Sequence, residues 1–495
     1  MFGIDPYSKQ SNLTVITIHS RANFKCLMEQ NSNLPMAGGD SRRDFIKKAA
    51  TTAAAVATTG SILKTPVYGQ NQAPSTGRVI GANDRITVGY VGIGGWPSNC
   101  PGMGLAHVRS QKNNAAENNV AQAAVCDLYS VRNDHAKEVI GGSDVKSYDN
   151  YQKLLERKDI DAVVIATHDV WHAKISIDAM ESGKHVYCEK PVTRYLPEVF
   201  EVHDAVKKTG KVYQAGSQGC SAAAWHRAAG WIQEGKIGKP IWAQGYYNRN
   251  NPKGEWNYSI IPDAGPQNIN WDAWLGPVHK KIAFNADHFF RWRKFYPYCT
   301  GLLGDLVPHR LFPLMLATGN PEFPKRVVCV GSQLVNSDEG TPGALKREVP
   351  EHIELIAEFP SGFTIMIVSS TVTATSPGFV IYGQQGSLNI GDQGNRIELV
   401  PERQFAEEID PEALNGLTPH EDVGVHEKNW FDSIRSNKSP NANIDLAIRA
   451  QTVISLAEMS NRLNITCLYD EKTRKITTGD GREVAPLNYG VLENS

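Results

Sequence analysis

A lysine and an aspartate–histidine pair are the residues of this chain best suited to moving protons and stabilising charge. Asp305 and His309 are four residues apart, so a helix over this stretch places both on one face. A carboxylate beside an imidazole fixes the tautomer of the ring and raises its basicity, which makes His309 a candidate general base. Lys190 stands between Glu189 and Pro191, and the proline keeps the lysine backbone out of a helix. An ammonium group held there can stabilise a developing alkoxide.

Each of these residues also has an ordinary structural explanation. Asp305 and His309 would serve equally as a polar pair on a helix, and Lys190 as a surface lysine before a turn. Pro308 directly precedes His309 and is compatible with a helix only in its first turn. An Asp–His pair is also part of a metal site, but no third ligand is evident, and we predict no metal.

A glycine-rich turn follows the first strongly apolar run of the sequence. The run over residues 86–91 leads into Gly92-Ile93-Gly94-Gly95, a turn that lets backbone amides approach a pyrophosphate. Pro97 replaces the third glycine of the usual pattern, which predicts a longer loop and a helix that starts near Met103. Asp127 ends the next apolar run, where a carboxylate binds ribose hydroxyls and repels a 2′-phosphate. We therefore predict a dinucleotide site that prefers NAD to NADP, with a simple strand-end turn as the alternative role of Asp127.

The spacing of the apolar runs predicts an α/β protein built from two architectures. Between residues 85 and 215 short strands alternate with helices, which predicts a Rossmann-type, doubly wound parallel sheet. Beyond residue 238, frequent strands and glycine-containing turns predict an α+β domain around an open, mostly antiparallel sheet. The predicted segments are an N-terminal extension (1–69), a linker (70–84), a dinucleotide-binding domain (85–215), a substrate and oligomerisation domain whose C-terminal helices pack back (216–465), and a tail (466–495).

The N-terminal extension contains a candidate export signal. Ser41-Arg42-Arg43 precedes a phenylalanine, two lysines and a short, weakly apolar run rich in Ala and Thr. This pattern resembles a bacterial twin-arginine signal, so we expect contact with the twin-arginine export machinery and a periplasmic or otherwise exported protein. An amphipathic helix start that happens to contain two arginines is the alternative. Met36 is a natural start, and we expect residues 1–35 to lie outside the fold.

Composition narrows the classes of partner. The 495 residues carry 51 Lys and Arg against 52 Asp and Glu, a formal net charge of −1, which argues against a nucleic-acid-binding protein. No uninterrupted apolar stretch is long enough to span a bilayer, so we predict no stable membrane span in the mature chain. None of the eight cysteines forms a C-x-x-C pair. Cys220 could act as a nucleophile, but a packed thiol is the preferred interpretation.

Two further motifs carry a family resemblance. Thr167-His168-Asp169-Val170-Trp171-His172 follows the third predicted strand, and Glu189-Lys190-Pro191 follows the fourth. Together they resemble the glucose–fructose oxidoreductase/inositol dehydrogenase/MocA (Gfo/Idh/MocA) family, with matching features from about residue 85 to residue 465. His168 departs from the commoner form of the first motif, which has a proline at that position.

The resemblance implies roles for particular residues. Lys190, Asp305 and His309 become the catalytic set, with the imidazole as base and the ammonium as its electrostatic partner. The residues expected to contact the cofactor are Gly92, Ile93, Gly94, Gly95, Asp127, Thr167, His168, His172, Glu189, Lys190 and Gln218. For His172 a helix-capping role is the alternative. Residues 242–298 are rich in aromatic and basic side chains that suit sugar rings, and among them Arg293 and Tyr296 are the preferred substrate contacts.

The resemblance implies an exported NAD(P)-dependent oxidoreductase that acts on a hydroxyl-bearing carbon of a sugar, glycoside or cyclitol. Because free nicotinamide cofactor is scarce outside the cytoplasm, a tightly held, recycled cofactor is expected. One alternative is a glycosidase that oxidises the ring transiently, eliminates the aglycone and restores the redox state. The other is a sugar-binding scaffold without catalysis. The open sheet of relatives often packs against a second copy, so a dimer or tetramer is expected.

Overall fold

The computed structural model of the protein describes residues 84–97, 102–391 and 394–490. Every described residue belongs to one compact unit of the chain. The predictions for the N-terminal extension, its twin-arginine segment and residues 70–83 of the linker lie outside the described residues.

Six parallel strands form the first sheet, in the order β3-β2-β1-β4-β5-β6. Its central strands are almost wholly buried because helices cover both faces. The strand order reverses between β1 and β4, and ligands of such sheets bind at the carboxyl edge of that point. The strands are β1 (Ile86–Val91), β2 (Val120–Cys126), β3 (Lys146–Tyr148), β4 (Ala162–Ile165), β5 (His185–Glu189) and β6 (Tyr213–Gly216).

Helices connect the strands of this sheet. The first begins at Met103, as the proline-rich loop before it predicts. The helix after β5 ends at Gly210, whose φ of 64° is the left-handed conformation that glycine adopts readily at a helix C-terminus. The helices are α1 (Met103–Asn118), α2 (Ser130–Ile140), α3 (Tyr151–Leu155), α4 (His172–Glu181) and α5 (Leu196–Thr209).

The second sheet has twelve strands in the order β15-β14-β13-β12-β7-β10-β9-β8-β16-β17-β18, with β11 paired to β7. Only β7 and β10 are parallel neighbours, so the sheet is mixed and mostly antiparallel. The strands are β7 (Pro240–Asn250), β8 (Arg326–Ser332), β9 (His352–Glu358), β10 (Thr364–Ser370), β11 (Val372–Thr373), β12 (Phe379–Gly383), β13 (Gly386–Ile390), β14 (Arg396–Pro401), β15 (Glu412–Asn415), β16 (Cys467–Asp470), β17 (Lys475–Thr478) and β18 (Glu483–Val484).

One face of the second sheet is covered by helices, and burial alternates along β9 as expected for such a sheet. The helices of this part of the chain are α6 (Ala223–Gln233), α7 (Trp271–Leu275), α8 (Ala286–Phe290), α9 (Leu302–Asp305), α10 (Pro308–Ala317), α11 (Val423–Ser436) and α12 (Ile444–Leu463). The predicted fold class, a Rossmann-type parallel sheet followed by an α+β domain with a mostly antiparallel sheet, is confirmed.

The C-terminal third of the chain packs against the first sheet and adds strands to the second. Helix α11 packs against α1, and its Trp430 and Phe431 are part of the apolar core of the first sheet. Residues 467–484, placed by the sequence in a tail, form three strands that extend the second sheet. None of the helices within the described ranges has the length and apolar character needed to cross a bilayer.

Candidate active site

Glycines at the end of β1 make room for the backbone of neighbouring segments. A Cβ atom on Gly92 would lie 2.6 Å from the backbone nitrogen of Thr167. A Cβ on Gly104, in the first turn of α1, would lie 1.9 Å from the carbonyl oxygen of Gly92. Gly104 therefore does what the third glycine of the phosphate-binding pattern does, which is to bring the helix close to the strand. The sequence interpretation that Pro97 removes this glycine missed that the longer loop only displaces it.

Asp127 lies beside this glycine-rich turn, at the end of β2. Its Oδ2 accepts hydrogen bonds from the backbone nitrogens of Ile93, at 2.8 Å, and Gly94, at 3.3 Å. Its Oδ1 accepts one from the backbone nitrogen of Tyr129, at 2.9 Å, and lies 3.8 Å from Nη1 of Arg132. The carboxylate thus fixes the turn, and it still faces the groove described next.

A groove of about 560 Å³ runs along the carboxyl edge of the first sheet, a size suited to a cofactor. One wall contains Gly92, Gly94 and the predicted contacts Thr167, His168, Glu189 and Lys190. The other wall comes from the second domain and is mostly aromatic. Its members are Trp274, Phe289, Phe290, Trp292 and Arg293.

Hydrogen bonds to backbone oxygens join the two walls of the groove. The nitrogen of Asn270 donates to the oxygen of Leu128 at 3.1 Å, beside Asp127. Nε1 of Trp171 donates to the oxygen of Ala273 at 3.1 Å, beside the strand end that contains His168. Close backbone approach, the Asp127 carboxylate and apolar walls together suit a dinucleotide.

The two histidines of the first motif have different surroundings. His168 is stacked on Trp274, with ring centroids 4.2 Å apart, and burial lowers its pKa to about 3, so the ring is neutral. His172 points both ring nitrogens at backbone oxygens, Nδ1 at Pro191 (2.6 Å) and Nε2 at Thr167 (3.1 Å). His172 therefore links the ends of β4 and β5 and does not line the groove, and its contact with the cofactor stays a prediction.

Lys190 is held at the rim of the groove by the second domain. Its Nζ donates to the backbone oxygen and to Oδ1 of Asp305, both at 2.6 Å. The same carboxylate accepts from Nε of Arg293 at 3.0 Å and from Nε1 of Trp256 at 2.9 Å. Although burial opposes it, the charges of Lys190 and Arg293 hold the pKa of Asp305 well below its usual range.

The expected pairing of Asp305 with His309 is not what the structure shows. Asp305 ends α9, and His309 follows Pro308 at the start of α10, so the two are on separate helices. Pro308 is in the first turn, which the sequence required of any helix there. The carboxylate of Asp305 is committed to Lys190, Arg293 and Trp256 instead of the imidazole.

His309 is buried among charged groups and is neutral. Burial, followed by the charges of Lys190 and Arg310, lowers its pKa to about 4, while Glu421 and Asp305 act in the opposite direction. Its Nδ1 lies 3.4 Å from Oε1 of Glu421, without hydrogen-bond geometry. A neutral imidazole is the form that a general base requires.

Glu189 is part of a buried charged triad behind the groove. Its Oε1 accepts from Nε2 of Gln218 at 2.8 Å and lies 2.9 Å from Nε2 of His107. Nδ1 of His107 lies 2.7 Å from Oε1 of Glu427, on α11. Burial lowers the pKa of His107, but the two glutamates outweigh it and raise the pKa to about 9. Gln218 thus orients Glu189 and does not line the groove, and its contact with the cofactor stays a prediction.

Some of the remaining predicted residues line the groove and others lie elsewhere. Arg293 lines the groove, and its guanidinium also stacks 4.2 Å from the ring centroid of Trp292. Tyr296 faces a different cavity, with Arg462 stacked on its ring at 4.0 Å, so its predicted substrate contact is not supported by its position. Ile93 and Gly95 contribute to the turn without lining the groove. Burial raises the pKa of Cys220 to about 12, which fits a packed thiol.

Several residues near Lys190 and His309 were missed by the sequence interpretation. Trp256 bonds Asp305, Glu421 lies beside His309, and His107 bonds Glu189. They come from a loop after β7, the segment before α11, and the first half of α1. The only advance signal was the aromatic density that includes Trp256. Within the described residues, no group of three or more His, Cys, Asp or Glu side chains is arranged to hold a metal ion.

Comparison with solved structures supports the fold. Levoglucosan dehydrogenase in complex with NADH is 18% identical, with a TM-score of 0.59, over 77% of this chain and 98% of that chain. The myo-inositol 2-dehydrogenase of Lactobacillus plantarum is 18% identical, with a TM-score of 0.56, over 78% of this chain and 100% of that chain. At this identity the likeness shows a common architecture.

Comparison with curated proteins finds partial matches. The protein named alpha-N-acetylgalactosaminidase of Shewanella oneidensis is 31% identical over 186 residues. A glycosyl hydrolase family 109 protein of Shewanella baltica matches with the same identity over the same length. In both cases the match covers 34% of this chain and 38% of the relative, little more than a third of either protein.

Family profiles match both domains. The profile described as "Oxidoreductase family, NAD-binding Rossmann fold" matches residues 88–217, which contain the first sheet and the glycine-rich turn. The profile described as "GFO/IDH/MocA C-terminal domain" matches residues 268–389, which contain Asp305, the partner of Lys190, and Arg293, which bonds the same carboxylate. Together they cover about half of the chain, and they agree with the resemblance that the sequence motifs carry. The chain therefore belongs to the Gfo/Idh/MocA family of oxidoreductases, with an NAD-binding Rossmann domain.

Proposed function

We propose that the protein transfers a hydride between a hydroxyl-bearing carbon of a carbohydrate or cyclitol and a nicotinamide cofactor held in the groove. One observation carries the proposal. The ammonium of Lys190 is fixed by Asp305 at the rim of the groove, and a neutral imidazole, His309, lies within its electrostatic reach. An ammonium that lines a cofactor groove, with a neutral base within its electrostatic reach, is what the oxidation of an alcohol requires.

His309, Lys190 and Asp305 have separate roles in the proposed reaction. His309 takes the hydroxyl proton, and Lys190 stabilises the negative charge that develops on the oxygen. Asp305 holds the Lys190 ammonium in place through two contacts of 2.6 Å. The cofactor, when bound, accepts the hydride. NAD is preferred to NADP because the carboxylate of Asp127 faces the groove beside the glycine-rich turn, where it would repel a 2′-phosphate.

The first experiment is denaturing release of bound nucleotide from protein that has folded in the cytoplasm, read by mass spectrometry and absorbance. We expect NAD(H) at close to one equivalent, since both domains wall the groove. Adding candidate sugars and cyclitols should then change the absorbance of the bound nicotinamide. Protein that holds no nucleotide, binds none in titration, yet still binds sugar would favour a non-catalytic scaffold.

A second candidate is a glycosidase in which oxidation of the ring is transient. The names of the partially matching curated relatives, an alpha-N-acetylgalactosaminidase and glycosyl hydrolase family 109 proteins, favour it. The same Lys190 and His309 would serve, because the first step is again oxidation of a ring hydroxyl. Release of nitrophenol from a nitrophenyl α-N-acetylgalactosaminide without added cofactor and without net NADH would support this candidate. Net NADH formation without cleavage would support the dehydrogenase.

Export and self-association are further proposals that rest on the sequence. Arg42 and Arg43 support export by the twin-arginine route, and the open second sheet supports a dimer or tetramer. A reporter fused behind residues 36–69 should reach the periplasm and should be retained when Arg42→Lys and Arg43→Lys are combined. Light scattering of the purified protein measures the oligomer directly.

A further inference from the structure

Glu421 occupies a constrained position next to His309. It lies directly before Asp422, which caps the N-terminus of α11 by accepting a hydrogen bond from Val425. The backbone of Glu421 has a φ of 65°, a conformation that costs energy for a residue with a side chain and persists where the surroundings enforce it. The chain therefore holds this carboxylate in place at some energetic cost.

The side chain of Glu421 is directed at the start of α10. Its Oε1 is 3.4 Å from Nδ1 of His309 and 3.0 Å from Nη1 of Arg310. Its Oε2 accepts a hydrogen bond from the hydroxyl of Tyr247 at 3.5 Å. The ring of Tyr247 also packs against the His309 ring, with centroids 5.4 Å apart. These contacts leave Glu421 facing the imidazole from the side of the second sheet.

No other carboxylate is placed to serve Nδ1 of His309 in the described structure. Nδ1 is buried and has no hydrogen-bond partner there. Asp305 is engaged by Lys190, Arg293 and Trp256, as described above. Small rotations of an imidazole and a glutamate side chain close a gap of 3.4 Å to hydrogen-bond distance, and catalytic hydrogen bonds are often longer before substrate binds.

The charges around His309 show why a carboxylate matters there. Lys190 and Arg310 oppose protonation of the ring, and Glu421 and Asp305 favour it. Glu189 and His420 also act on the site from the first sheet and from the segment before α11. Among the groups that favour protonation, Glu421 has the largest effect on His309.

We propose that Glu421 is the positioning residue of His309: it accepts a hydrogen bond from Nδ1–H and so leaves the Nε2 lone pair free to act as base. This inference rests on the proposed function. In the reaction, the substrate O–H bond breaks and its proton goes to Nε2, while the carbon–hydrogen electron pair leaves as hydride to the oxidised cofactor, so that a carbonyl forms. Glu421 stabilises the resulting imidazolium. The sequence spacing had assigned this role to Asp305.

The test compares Glu421→Gln and Glu421→Asp with wild type in the full chain. In Glu421→Gln we expect kcat to fall about 10- to 100-fold, with KM and cofactor affinity within about twofold. Glu421→Asp should recover part of kcat. The acid limb of the pH–rate profile should move to lower pH in Glu421→Gln, because removing the carboxylate leaves Arg310 and Lys190 to lower the pKa of His309 further. Glu398→Gln, which removes one partner of an exposed pair with Arg396, is the matched control and should change nothing.

A second readout does not depend on activity. In protein labelled with ¹⁵N-histidine, with the His309 signal assigned by its loss in His309→Gln, wild type should show the Nδ1–H tautomer and Glu421→Gln should lose it. An unchanged tautomer and unchanged kcat in Glu421→Gln would overturn the proposal. If wild type binds no nicotinamide cofactor and turns over no substrate, the proposed function fails, and the tautomer measurement still decides whether Glu421 controls His309.

Discussion

The proposed cofactor side and the proposed substrate side of the site are built by different means. The cofactor side is built mainly from backbone atoms. Gly92 and Gly104 permit close approach of neighbouring backbone segments, and Asp127 accepts hydrogen bonds from backbone nitrogens of the turn. The substrate side is built mainly from charged side chains. Lys190, Asp305 and Glu421 come from segments that are far apart in the sequence, and each has its position set by another side chain.

This difference determines which kind of substitution disrupts each side. A backbone cradle depends on space, so an added methyl group is enough to disrupt it. A charged cluster depends on partners, so removing one side chain leaves a buried charge uncompensated, which costs more than the contact itself contributes. The two sides therefore call for different substitutions and different measurements.

The largest expected effect is on the substrate side. Lys190→Met should lower turnover by about 100- to 1,000-fold, because the oxyanion loses its electrostatic partner. Lys174→Met is the matched control: Lys174 also lines the groove, but its ammonium pairs with Asp178 at the surface, 2.6 Å away, and turnover should stay within about twofold. Steady-state rates with a sugar substrate give the comparison. Equal losses in both variants would assign the effect to the groove in general and not to Lys190.

The cofactor side should be disrupted by added side-chain volume. Gly104→Ala would place a methyl group 1.9 Å from the oxygen of Gly92, so α1 must move away from β1. We expect cofactor affinity to fall at least tenfold and the free energy of unfolding to fall by about 1–3 kcal/mol. Gly230→Ala is the control, because Gly230 is also helical but has no neighbour closer than 3.9 Å, and alanine there should stabilise by about 0.5–1 kcal/mol. Nucleotide titration and urea unfolding measure both quantities.

The same contrast explains what could be predicted from the sequence. The alternation of strands and helices between residues 85 and 215, the start of α1 near Met103 and the place of Asp127 after an apolar strand follow from local periodicity and turn residues, and the structure has them. Strand β3 and helix α2 were not predicted. Pro97 predicted the longer loop and the later helix start, but it gave no sign that Gly104 takes the role of the third glycine.

The partners of the charged residues could not be predicted in the same way. A spacing of four suggested that Asp305 faces His309, but the chain breaks between α9 and α10, and the carboxylate turns to Lys190 instead. Glu421 and His107 carry no local signal, because only tertiary packing brings them to the site. Side chains that pair across more than 100 residues are decided by the fold as a whole.

The buried triad of Glu189, His107 and Glu427 allows a test of whether charged side chains also stabilise the cofactor side. Its histidine, His107, has a pKa raised to about 9, so its stabilising effect is complete below pH 6.5 and is lost as the pH rises through about 9. His107→Gln should lower the free energy of unfolding by about 3 kcal/mol at pH 6, and the difference from wild type should shrink by pH 10. His203→Gln, at the surface beside Asp445, is the control. A difference that stays constant with pH would mean that His107 contributes by packing alone.

The smallest expected effect lies where the two sides meet. Trp274 belongs to the second domain, lines the groove and stacks on His168 of the first sheet at 4.2 Å. Trp274→Ala should weaken cofactor binding about 2- to 10-fold, since a stacked aromatic pair contributes about 0.5–1.5 kcal/mol. Trp242→Ala removes a comparable stack, on Tyr382 at 4.2 Å, from the second sheet outside the groove and should leave cofactor affinity unchanged. Equal affinities in wild type and Trp274→Ala would show that the aromatic wall contributes nothing to cofactor binding, which would then rest on the backbone cradle and Asp127.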